Sequence, residues 1–148
     1  MDTGLRSLLD AARHAAGRAY APYSGFRVGA AVLAGGTHYI GANVENASSN
    51  LGICAERVAL ATARLHTDAP VEAVAVFCLD AVPGADGRIA PHTVAPCGGC
   101  RQWLAELAPN AVVVTNATGP DGTPGSVHRV ADLLPLPFAL RADHPPRT

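Results

Sequence analysis

Two short stretches constrain this chain more than anything else in it: Cys54-Ala55-Glu56-Arg57 and Pro96-Cys97-Gly98-Gly99-Cys100. Together they bring three thiols and one carboxylate. A structural zinc site fills all four corners of its tetrahedron with protein ligands, whereas a catalytic one uses three and leaves the fourth to water. The fourth cysteine, Cys78, lies inside the apolar run Val74-Ala75-Val76-Phe77-Cys78-Leu79. That run reads as a buried strand, where a free cysteine behaves as a small hydrophobe. The expected set is therefore Cys54, Cys97 and Cys100 on one zinc ion, with one corner open.

The elements around these stretches explain how distant cysteines can meet. Residues 3 to about 18 read as an amphipathic helix with Leu5, Leu8, Leu9, Ala12, Ala15 and Ala16 on one face, capped by Asp2 or Thr3. Pro22 and Tyr23-Ser24-Gly25 end it before a strand from Phe26 to Leu33. Ala34-Gly35-Gly36-Thr37 turns into a second strand, about His38 to Val44. A helix from Ala55 to His66, with Val58, Ala61 and Leu65 expected inside, is followed by a strand from Val71 to Leu79. After a loop over 80–95, a helix from Gly98 to Leu107 presents Cys100, Leu104 and Leu107 on one side. Strands near Ala111–Thr115 and Ser126–Val130 follow, then a helical turn with Leu133 and Leu134, and a tail from Arg141 onward that is expected to fray. The helix–strand–helix order returns both cysteine-bearing helix starts to one rim of a sheet, where α/β folds place their sites. Those helix starts favour thiolates, because each carries roughly half a positive charge.

Composition narrows the partners. With 12 acidic residues and 11 basic ones, all arginine and none clustered, the chain offers no concentrated positive surface for nucleic acid. A small, weakly charged ligand fits better. Asp2, Arg6 and Asp10 interrupt what would have to be the apolar core of a secretion signal, and no apolar run is long enough to span a membrane. The expectation is a single domain over 1–148, in the cytoplasm, with reduced thiols.

The two cysteine stretches, read with their neighbours, resemble the zinc signature of the cytidine deaminases in its small three-cysteine form. In zinc deaminases a glutamate stands two residues after the first ligand, and Pro-Cys-x-x-Cys comes later. Tyr23-Ser24-Gly25-Phe26-Arg27-Val28-Gly29-Ala30-Ala31 is similar to the family's first strand, and Asn43-Val44-Glu45-Asn46-Ala47 to its ribose-binding segment. Leu133-Leu134-Pro135 and Phe138 are similar to its C-terminal end. The resemblance implies a three-layer αβα fold, a mixed five-stranded sheet with helices on both faces, and a homotetramer. It implies that Glu56 shuttles a proton from water to N3 of the pyrimidine while C4 is attacked and ammonia leaves. It also implies that Arg57 offsets the sulfurs' negative charge, Asn43 and Glu45 hold the ribose hydroxyl, and Phe26 packs on the nucleoside. The backbone at Ala55 would receive the base carbonyl, and Phe138 would close a neighbouring subunit's pocket.

Two departures mark this chain. Ala47-Ser48-Ser49-Asn50 stands where many relatives carry Ala-x-Tyr-Pro or Ala-x-Tyr-Gly, and the loop before Pro96 is longer. Both bear on substrate choice. A deaminase of cytosine-containing antibiotics such as blasticidin S remains an alternative at this stage. So do a non-catalytic zinc domain and a Cys-x-x-Cys redox protein, although neither of the last two needs Glu56.

Overall fold

A computed structural model describes residues 1–140; the tail from Arg141 onward lies outside the described residues. Asp2 caps the first helix, α1 (Thr3–Ala16), by accepting the Leu5 N–H at 2.8 Å. The strands β1 (Val28–Ala34) and β2 (Thr37–Ala42) form a hairpin in which Gly35 and Gly36 both have positive φ, the backbone that a two-residue primed turn requires. There follow α2 (Ala55–His66), β3 (Val71–Cys78), α3 (Gly98–Leu107), β4 (Val112–Thr118), β5 (Pro124–Arg129) and a one-turn α4 (Val130–Leu133).

The sheet order is β2-β1-β3-β4-β5, with β3 and β4 parallel and every other neighbouring pair antiparallel. Thus β2, β3 and β4 all run one way. The mixed five-stranded sheet expected from the resemblance is present, and β4 and β5 pair antiparallel across the turn Gly119-Pro120-Asp121-Gly122.

Both faces of the sheet are buried, which is why its central strands read as continuous apolar runs. On one face Ala31, Ala73, Ala75 and Val114 pack against Leu8, Leu9 and Ala12 of α1. On the other, Ala30, Val32, Val74, Val76, Cys78 and Val113 pack against Ala59, Leu60 and Ala63 of α2 and Leu104 of α3. The result is three layers. Among the described residues no helix is long and apolar enough to cross a membrane.

The buried face of α2 differs from the expected one. Ala55, Glu56, Ala59, Leu60 and Ala63 are inside, Val58 and Ala61 are half-buried, and Leu65 is 85% exposed. Small alanines face the sheet because the helix lies close to it: a Cβ on Gly41 of β2 would stand 2.5 Å from Ala59 N and 2.8 Å from Ala55 O. Leu107 of α3, also expected inside, is half-buried, and Ala105 is buried instead.

Candidate metal centre

Helices α2 and α3 begin beyond the C-terminal ends of β2 and β3, so their N-termini share one rim of the sheet. Cys54 and Cys97 are the N-cap residues of these helices, and neither caps with its side chain, which leaves both sulfurs free. Cys100 is one turn into α3 and fully buried. The Sγ atoms of Cys54, Cys97 and Cys100 all lie within 4.8 Å of one another, the one such cluster of potential metal ligands among the described residues. The Cys54–Cys97 separation is 3.8 Å. Sulfurs bound about 2.3 Å from one tetrahedral zinc stand ~3.8 Å apart, so the spacing fits this ion.

The electrostatics favour a cation. Hydrogen bonding from Cys100, then from Arg57 and Cys97, lowers the Cys54 thiol to about 5 and makes it a thiolate at neutral pH. The Cys54 sulfur in turn pushes the Cys100 thiol up. Arg57 Nη2 reaches Cys54 Sγ at 3.9 Å and the Gly52 carbonyl at 3.4 Å, while its Nε is buried without a partner among the described residues. A half-buried guanidinium within reach of a sulfur offers the positive charge that anionic ligands need.

Glu56 is only 4% exposed, an unusual place for a carboxylate. It is not part of the sulfur cluster. Burial raises its pKa, and the nearby Cys54 charge adds to this. The side chain therefore points inward beside the sulfurs and holds a proton more readily than an ordinary glutamate. Cys78 is buried as expected, its thiol pushed up to about 12 by burial and then by Glu56.

Of the residues expected to meet a nucleoside, Phe26, Asn43, Glu45 and Ala55 stand at the same rim. Val44 pairs with Ile53, the residue before Cys54, through N–H···O bonds of 3.0 and 2.9 Å. Asn43 accepts from Val28 N and donates to Phe26 O, both at 2.8 Å. Glu45 accepts from Tyr23 N at 3.0 Å, from Ser24 N at 3.1 Å and from the Ser24 hydroxyl. These two side chains therefore brace the Tyr23–Val28 segment, and Phe26 stands 36% exposed on it. Ala55 is buried at the first turn of α2. Phe138 is 71% exposed and far along the chain, with its backbone N–H and C=O both held by the Gln102 amide.

The family profile described as "Cytidine and deoxycytidylate deaminase zinc-binding region" matches residues 3–116. This chain belongs to that deaminase family. A cytidine deaminase of Mycobacterium tuberculosis is 36% identical over 130 residues, covering 87% of this chain and 85% of that one. One from Halalkalibacterium halodurans is 48% identical over 92 residues, 62% of each chain. The crystal structure of a cytidine deaminase from Burkholderia pseudomallei superposes with a TM-score of 0.74 at 40% identity, covering 93% of this chain and all of the other. The three-layer fold and the zinc-binding role of the sulfur cluster stand as family features.

Sequence reasoning passed over three positioning groups. Asp80 takes Arg27 in a two-pronged ion pair at 2.8 and 2.9 Å and also accepts Arg27 N, closing the end of β1 on β3. Buried Asn116 accepts from Cys78 N at 2.9 Å and donates to Cys78 O at 3.0 Å, tying β3 to β4 where their ladder ends. Arg101, the residue after Cys100, holds two backbone carbonyls. None carries a motif of its own. The one usable signal was a charged residue directly beside a site element.

Proposed function

We propose that this protein hydrolyses the C4 amino group of cytidine or 2′-deoxycytidine, giving uridine or deoxyuridine and ammonia. The observation that carries the reading is the buried Glu56 carboxyl, with its raised pKa, beside three sulfurs that leave one corner of a zinc tetrahedron open. A purely structural zinc site needs neither feature.

Cys54, Cys97 and Cys100 would hold the ion, which when bound supplies Lewis acidity that makes water nucleophilic at neutral pH. Glu56 takes a proton from the attacking water and delivers it to N3 of the base, so that C4 accepts oxygen. It then passes the second proton to the amino group, which leaves as ammonia. The low dielectric around Glu56 keeps both transfers away from bulk solvent. Arg57 offsets the negative charge of three thiolates around a divalent ion. Phe26 packs on the nucleoside, the Ala55 backbone receives the base carbonyl, and Asn43 and Glu45 meet a ribose hydroxyl with the hydrogen-bonding capacity that bracing the Tyr23–Val28 segment leaves them. The working unit of this reading is one domain over 1–148, assembled as a cytoplasmic homotetramer in which Phe138 completes a neighbour's pocket.

The test is a panel of cytidine, deoxycytidine, cytosine, CMP and blasticidin S, followed by loss of cytosine absorbance. Turnover of the two nucleosides, with little on free base or CMP, is expected. A zinc-loaded protein that leaves both nucleosides intact would refute the assignment.

A further inference from the structure

The three sulfurs are not held equally. Cys100 is locked inside α3 and fully buried. Cys54 sits one residue after the Val44–Ile53 bridge and is touched by Arg57. Cys97, in contrast, is exposed and is followed by Gly98 and Gly99, at which an added Cβ would meet nothing within 4 Å. Cys97 is thus the least enclosed of the three, and the glycines that follow it bring no side chain to pack against its corner.

One side chain restrains it. From the second turn of α3, Arg101 reaches back past the helix start, and its Nε donates to the carbonyl of buried Pro96 at 2.8 Å. That carbonyl belongs to the peptide joining Pro96 to Cys97, so fixing it fixes the plane from which Cys97 departs. Nη1 of the same guanidinium donates to Leu133 O at 2.9 Å, at the end of α4. Among the described residues Arg101 forms no ion pair. Its rigid fork is committed to two backbone oxygens, a geometry that lysine cannot reproduce.

We propose that Arg101 is a positioning residue for the metal centre: by bridging the Pro96 and Leu133 carbonyls it holds Cys97 in place as a zinc ligand. This rests on the three-sulfur zinc site of the preceding reading. Partners that orient metal ligands change affinity by about 10–100-fold when removed.

The experiment measures zinc release to a chromogenic chelator, and the absorption spectrum of the cobalt-substituted protein, for wild type, Arg101→Ala, Arg101→Lys and Gln102→Ala. Arg101→Ala should lose zinc ~10–100-fold faster and show altered cobalt bands, with Arg101→Lys in between. Gln102→Ala frees the C-terminal segment at Phe138 without touching the Pro96 turn, so it should release zinc like wild type. Equal release from Arg101→Ala and wild type would overturn the proposal. So would a Gln102→Ala protein that loses zinc as fast as Arg101→Ala, because general loosening of the C-terminal segment would then suffice. A wild-type protein that binds no zinc would instead refute the metal site itself, which keeps the two failures apart.

Discussion

At the scale of single residues, the site works by placing charge where water would normally not allow it. Glu56 is the clearest case, since a carboxyl at 4% exposure is costly to ionise, which suits the proton-carrying role proposed for it. Glu56→Gln keeps the shape and removes the proton acceptor. It should lower kcat by about 10²–10⁴-fold while zinc content stays at wild-type level. Quenched-flow turnover and metal analysis on one preparation check both halves, and unchanged kcat would remove Glu56 from the mechanism. The Arg27–Asp80 pair makes a different prediction. Hydrogen bonds from Arg27 lower the Asp80 carboxyl to about 2, below the ~3.9 of an unfolded aspartate. A depressed folded value stabilises above the unfolded pKa, and that stabilisation is lost as pH falls through the folded one. The Tm gap between wild type and Asp80→Asn should therefore be constant above about pH 4 and close toward about pH 2. A gap that persists at the acid end would trace the stabilisation to something other than the ion pair.

At the scale of elements, the close approach of helix to sheet decides which faces are inside. A Cβ at Gly41 would meet Ala59 N and Ala55 O of α2, and one at Gly29 would stand 1.9 Å from Ala12 O of α1. Overpacking of this kind costs ~1–3 kcal/mol. Gly41→Ala and Gly29→Ala should both lower Tm by several degrees, yet only Gly41→Ala displaces the first turn of α2, which carries Cys54 and Glu56. Chelator competition should show weakened zinc binding in that variant alone, and equal weakening in both would contradict the spatial argument. The same closeness explains what could be read from sequence. The ends of α2 and α3 were legible because Cys54 and Cys97 mark them and His66 and Leu107 close apolar periods. The strand hairpin was legible from Gly35-Gly36. The inner face of α2 was not, because reading for bulky residues favours Val58 and Leu65, whereas a helix packed tightly on a sheet buries its alanines. The roles of Asp80, Asn116 and Arg101 were hidden for another reason: each bonds a residue at least 32 positions away, and such pairings leave no period or spacing along the chain.

At the scale of the whole molecule, the fold divides into a core that needs no ion and a rim that does. The sheet is buried on both faces by α1, α2 and α3 through contacts between apolar side chains, so the central strands retain their driving force without metal. The rim is different. Cys54 and Cys97 belong to separate crossovers, and a shared ion would tie the start of α2 to the start of α3 and close the long loop between them. Such a ligand stabilises only the state that binds it, and by local tightening before global folding. Chelation should therefore lower Tm and speed amide exchange in the first turns of α2 and α3 and in the 91–97 segment, while the centres of β1, β3 and β4 stay protected. Added zinc should reverse both effects. Hydrogen-exchange mass spectrometry before and after chelation distinguishes the possibilities. Loss of protection spread evenly through the sheet would mean that the ion holds the core itself, and no change at the rim would mean that the sulfurs keep their places without it. The expected pattern leaves a stable scaffold with one metal-organised edge, which is the arrangement that a catalytic corner open to water requires.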